Sequence, residues 1–236
     1  GLARYTPVTF LHGLADKAKD AARIEVSGHD GRFAVELTPT GWVLPDRGNY
    51  PANFNQVRQT LITLAQLTTI APKTQRPDWL THLALGTPPK GNGTLITVKD
   101  AKGTVLAQLI TGNVEQLGDP SGATGLFVRR PGENQSWLAR AVFPTHGDIG
   151  SWMMKRVVDI GPARLKSVTV IPASGASFTV GRPTAGDPVG VEGLPPTVTP
   201  DVQLVNEIGF AVATLSVDDV RPAGTVDFAG ASRVIA

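Results

Sequence analysis

WVLPDRGNYPANFNQVRQTLITLAQLTTI, residues 42–70, holds the plan on which the chain is built. Trp42, Val43 and Leu44 form a short apolar run of strand length. Pro45, Gly48 and the Tyr50-Pro51 pair then punctuate a loop. Asn53 is a side chain suited to capping a helix, and after it Phe54, Val57, Leu61, Leu64 and Leu67 recur at three- and four-residue spacing. The spacing predicts an amphipathic helix with those residues buried and Asn55, Gln56, Arg58, Gln59 and Gln66 facing water. A stripe of this kind packs a core, and nothing in it suggests a cofactor groove.

Upstream, Phe10, Leu11, Leu14, Ala15, Ala18 and Ala22 have helical spacing, so residues 10–22 read as a short helix on the core. Residues 23–27 and 32–38 read as two strands joined at Ser27-Gly28-His29-Asp30-Gly31, because Phe33, Val35 and Leu37 alternate with Arg32, Ala34 and Glu36. Residues 72–90 read as a connecting segment in which Pro77 starts a helical turn through Trp79, and Pro88-Pro89-Lys90-Gly91-Asn92-Gly93 reads as a flexible linker. The period then becomes two: residues 95–99 pair with 105–110, and 126–130 with 136–143, as two hairpins.

After a helix or turn at 148–160, the opening plan returns. Residues 167–171, 177–180 and 188–191 read as strands, and Thr199-Pro200 opens a helix burying Val202, Val205, Ile208, Val212 and Leu215. Val26 lies 28 residues before Phe54 and Val170 lies 32 before Val202, while Phe33 and Phe178 open the second strand of each set. The fold class is therefore α+β: antiparallel sheets with helices on one face, and an internal duplication of a β-β-β-α unit flanking a hairpin-rich middle. The expected organisation is an N-terminal arm or helix (1–22), a first unit (23–90), a hairpin segment (91–162), a second unit (163–222) and a C-terminal strand or truncated start of a further unit (223–236).

A chain of 236 residues can bury roughly three-quarters of its unfolded surface without metal or disulfide support. It has no cysteine, which removes disulfides, thiolate metal sites and a cysteine nucleophile. The formal charge of +2 comes from scattered basic residues, with Arg129-Arg130 and Lys155-Arg156 as the tight pairs, so a nucleic-acid partner is not expected. No apolar run reaches the length of a membrane span.

Recognisable catalytic spacing is missing. His12, His29, His82 and His146 stand in no metal-ligand spacing, Ser121, Ser174 and Ser177 sit in no nucleophile elbow, and Asp218-Asp219 reads as a solvated helix end. Gly91-Asn92-Gly93 lacks the lysine and helix start of a phosphate loop. No catalytic residue, cofactor or metal is expected. Trp42 and Trp152 fall in apolar patterns and read as core. Trp79 and Trp137, with Arg129 and Arg130, form the candidate binding set, since an exposed aromatic beside arginines can anchor a protein or glycan.

Several motifs in order resemble one family. They are Gly41-Trp42 before Tyr50-Pro51-Ala52, the Val57/Leu61/Leu64 helix, Lys73-Thr74, Leu83-Ala84-Leu85-Gly86, Phe127-Val128-Arg129-Arg130, and Ser151-Trp152 before Val157-Val158-Asp159-Ile160. Over residues 14–220 the chain resembles the domain of unknown function 4340. The resemblance implies an exported envelope domain, often encoded beside ABC-transporter and gliding-type components, with no catalytic residues to carry over. It implies a periplasmic or extracytoplasmic location, a membrane anchor upstream of Gly1, and a membrane protein or transporter component as partner. The expected function is a non-enzymatic, membrane-tethered accessory or scaffold of an ABC-type envelope transport system. Its rivals are a module binding a lipid, glycan or peptide in a cleft between the repeated units, and, last, a hydrolase.

Overall fold

A computed structural model describes residues 5–118, 120, 124–141, 149–154, 166–172, 177–181, 190–193, 203, 220–221, 223–227, 229, 231 and 233–235. The chain divides into two compact units, Gly1–Met153 and Met154–Ala236. In the first lie β1 (Val8–Thr9), α1 (Leu14–Lys17), β2 (Ala21–Gly28), β3 (Gly31–Thr38), β4 (Gly41–Leu44), β5 (Tyr50–Pro51), α2 (Phe54–Gln66), β6 (Thr68–Pro72), β7 (Thr94–Asp100), β8 (Val105–Gln116), β9 (Thr124–Arg129) and β10 (Ser136–Ala141). All ten strands join one antiparallel sheet in the order β1-β6-β10-β9-β8-β7-β2-β3-β4-β5.

Both expected hairpins form, β7 with β8 and β9 with β10. They are not a separate layer: β7 pairs with β2, so the sheet runs unbroken through the boundary expected at residue 90. Strand β6 was not expected: it lies between the helix read from Asn53 and the connecting segment read from residue 72. Its Thr68-Thr69-Ile70 run is β-branched and suits a pleated surface, but it follows α2 without a turn signal and closes on Pro72.

Alternation sorts the two faces. Ile24, Val26, Val35, Ile96, Val98 and Leu109 share the inner face and are almost fully buried. On this side α1 packs on β8, α2 packs on α1 and on a 3-10 turn at Ile149–Trp152, and the Trp152 ring meets Phe33 edge-on at 5.8 Å. Asn53 caps α2 as expected, its side-chain oxygen accepting from the Gln56 N–H. The buried stripe is Val57, Thr60, Leu64 and then Leu67, each apolar member contributing about 1.5–3 kcal/mol. Phe54 departs from expectation: it is 60% exposed, because it follows the cap directly and its direction lies off the Val57/Leu64 stripe.

The expected helix over 10–22 shrinks to α1 and a 3-10 turn at Ala18–Asp20. Gly13 sits at φ 79°, a left-handed conformation that stops the helix from extending back to Phe10, although Phe10 and Leu11 are still buried. Trp152 is fully buried as expected, whereas Trp42 lies half-buried opposite the exposed Leu37 at the end of β3 and β4. On the outer face, Glu25 accepts from Arg23 at 3.0 Å and from Lys99 at 2.8 Å, and Arg23 also reaches Glu36 at 2.5 Å.

The second unit holds β11 (Ser167–Ile171), β12 (Phe178–Gly181), β13 (Gly190–Glu192) and β14 (Arg233–Ile235), in the antiparallel order β13-β12-β11-β14. The first unit contains the same order as β4-β3-β2-β7. Registers agree too: Val26 opposes Phe33 and Ile96, and Val170 opposes Phe178 and Val234. The helix expected from Thr199 lies outside the described residues. Within residues 223–236, where a C-terminal strand was expected, a 3-10 turn at Ala223–Thr225 is followed by β14. Among the described residues no helix is long and apolar enough to cross a membrane.

Candidate functional site

Between β6 and β7 the chain folds back onto the outer face of the sheet. Leu95 on β7, Ile110 on β8 and Arg129 on β9 oppose one another in a row, and Phe127 lies on the same face. Leu80 and Leu85 bury Ile110 there, with Leu83, Leu95 and Phe127 around them. Residues 77–93 are thus a lobe with its own small core. Its backbone comes very close to the sheet and to itself: a Cβ on Gly112 of β8 would lie 2.1 Å from the Leu83 carbonyl oxygen, and within the lobe one on Gly91 would lie 2.2 Å from the Gly86 carbonyl carbon. Only glycine fits either place.

Arg129 fastens this lobe. It is 4% exposed, and its guanidinium donates to the Leu85 carbonyl from Nε at 3.1 Å and from Nη2 at 2.7 Å, to Thr87 Oγ1 at 2.8 Å and to the Glu133 carbonyl at 3.0 Å. Burial lowers its pKa from the ordinary value, yet a guanidinium so supplied with acceptors stays charged. The segment expected as a flexible linker is tied as well. Asn92 Oδ1 accepts from Gly86 N–H at 3.3 Å, Asn92 Nδ2 donates to the Thr81 carbonyl at 2.9 Å, and Gly93 N–H donates to the Gly86 carbonyl at 2.8 Å.

The four candidate binding residues separate. Trp79 stands 48% exposed at the end of a 3-10 turn (Pro77–Trp79), with the Arg76 guanidinium 5.6 Å from its ring centroid and His82 edge-on at 5.5 Å. Arg76 is itself paired with Asp78 at 2.6 Å, and that hydrogen bond holds the Asp78 carboxyl below its usual range. Arg129 is buried and already occupied, so its assignment as a surface binder is corrected. Arg130 turns to the opposite face, stacks over Phe10 at 4.3 Å and donates to the Phe10 carbonyl at 2.9 Å. Trp137 is half-buried, opposes Val128 on β9 and lies 6.1 Å from Tyr5. Arg130 and Trp137 therefore hold the N-terminal segment and do not extend the Trp79 surface.

An open cleft of ≈ 620 Å³ lies at the β2–β3 turn, lined by Gly28, His29, Asp30, Gly31, Arg32, Phe33, Arg47, Asn92, Gly93, Thr94 and Ile149. His29 Nδ1 lies 3.1 Å from the Pro89 carbonyl oxygen, joining this turn to the lobe. A neighbouring recess of ≈ 470 Å³ shares Arg32 and Phe33. Sequence reasoning gave His29 and Arg32 no role as ligand-facing groups, because Arg47, Asn92 and Ile149 reach them only through the fold. Among the described residues no three His, Asp or Glu side chains gather as a metal-ligand set. His12 is exposed, while His146, Ser121, Ser174 and the Asp218-Asp219 pair lie outside the described residues.

The chain matches no curated protein and no solved structure. It does match one family model, described as a domain of unknown function, across residues 42–231. That match takes in the lobe, the Arg129 clamp and part of each sheet, with β1, β2, β3 and β14 outside it, and the chain belongs to the family of the domain of unknown function 4340 (DUF4340).

Proposed function

We propose that this chain is a non-enzymatic, exported and membrane-tethered accessory or scaffold of an ABC-type envelope transport system, holding a protein partner through the lobe of residues 77–93. The observation that carries the reading is Trp79, half exposed on a lobe clamped from beneath by Arg129. Tryptophan on a rigid base dominates the energetics of protein interfaces, since it contributes large contact area with little ordering cost. Around Trp79 the ionisable Arg76 and Asp78 are bonded to each other and are not aimed at a shared reacting point. The periplasmic or extracytoplasmic address and the upstream anchor are implied by the family resemblance.

The same proposal treats the two sheets as copies of one β-β-β-α plan. Supporting it are the shared strand order and the matched Val26/Phe33/Ile96 and Val170/Phe178/Val234 registers. Capture from solubilised membranes tests the function. The full chain is expected to retain a transporter component, and Trp79→Ala to lose it while keeping its circular dichroism spectrum; a full chain that retains none refutes the reading. A ligand-binding module is the second reading, and the cleft at the β2–β3 turn favours it.

A further inference from the structure

We infer that the cleft at the β2–β3 turn is a binding site for a small organic anion, a carboxylate or phosphate carried on a short apolar body. The inference concerns a different surface from the Trp79 lobe and stands or falls separately.

The charge arrangement is the first support. Of the cations on this part of the sheet, Arg23 and Lys99 are neutralised by Glu25 and Glu36. Arg32 is exposed, lines both recesses, and has no hydrogen-bond or ion-pair partner among the described residues. Asp30, the carboxylate among the described residues lining the larger cleft, forms no ion pair with Arg32, so the guanidinium stays open to a ligand. A guanidinium open to solvent presents parallel N–H donors matched to carboxylate and phosphate oxygens.

Shape supplies the second support. Phe33, 7% exposed and held edge-on by Trp152, together with Ile149 gives the cleft an apolar floor. Gly28, Gly31 and Gly93 leave its walls without side chains, and a Cβ on Gly31 would meet nothing within 4 Å. The walls are set before any ligand arrives: His29 is bonded to the lobe, and Asn92 is bonded to Thr81 and Gly86 within it. The volume falls in the ordinary span of small-molecule sites, and a few polar groups over an apolar floor is their usual lining.

Hexanoate, hexyl phosphate, acetate, inorganic phosphate and hexylammonium, titrated into the isotope-labelled full chain, test this through amide chemical shifts. One or both six-carbon anions are expected to shift the Gly28, Gly31 and Gly93 amides saturably, and whichever binds identifies the head group. Arg32→Glu is expected to weaken that binding about tenfold or more, while Arg58→Glu, on the exposed face of α2, leaves it unchanged. Four outcomes overturn the inference: no saturable shift, Arg32→Glu binding within twofold of the parent, hexylammonium binding as well as the anions, or acetate and inorganic phosphate binding as tightly as their six-carbon counterparts. Since Arg32 is exposed, its replacement does not threaten folding, and circular dichroism verifies this.

Discussion

Arg129 illustrates how a residue type that suggests a surface role can be taken inside. Four N–H groups of one guanidinium satisfy the Leu85 carbonyl and Thr87 hydroxyl of the lobe and the Glu133 carbonyl of the following turn, so truncating it strands buried acceptors without replacing their water. Arg129→Met is expected to destabilise the first unit by about 2–3 kcal/mol in urea unfolding. Glu25 offers a second test at this scale. Burial alone would raise its carboxyl, but hydrogen bonds from Lys99 and Arg23 outweigh that and hold it below the ordinary 4.5. A carboxyl lowered on folding stabilises the native state above its unfolded value and loses that contribution as pH falls through the folded one. Stability should therefore decline as pH drops below 4.5, and Glu25→Gln should flatten that part of the profile. The effect is about 1 kcal/mol or less, because the pair is partly exposed. The sequence showed these charges but not their pairing, which depends on strands β2, β3 and β7 lying side by side.

At the scale of elements, strands with strict alternation and helices with clear caps were legible. Strands β2, β3, β7, β8, β9 and β10 could be read from their periods, and α2 from Asn53. What escaped was order achieved by close backbone contact. Gly86, Gly91, Gly93 and Gly112 look like flexible links in a sequence, since no side chain announces what each approaches. Gly112→Ala is expected to displace the lobe from β8, seen as faster hydrogen exchange at Leu85 and Asn113 together with a loss of stability of about 1–3 kcal/mol. Asn53→Ala should cost about 1 kcal/mol by unsatisfying the first turn of α2. Strand β6 escaped for a related reason: its partners β1 and β10 both lie some sixty to seventy residues away along the chain, and only those pairings give Thr68–Pro72 its form.

Over the whole molecule, strand order carries what local pattern cannot. Hairpins can be read from neighbouring sequence, yet the union of β7 with β2 and of β10 with β6 closes long loops for which single segments hold no signal. That union makes residues 1–153 one sheet-centred body. Expressed alone, they should keep the near-ultraviolet signature of buried Trp152, measured by circular dichroism. The sequence set Val26 and Phe33 beside Val170 and Phe178, and in the two sheets Val26 opposes Phe33 and Val170 opposes Phe178.

The ten-stranded sheet ends at each side on a two-residue strand, Val8–Thr9 and Tyr50–Pro51, the latter closing on an imino acid with no N–H to give. Such margins offer incoming chains almost no ladder to extend. Even when many molecules are crowded together, fibrous growth by strand addition to this sheet would find little purchase.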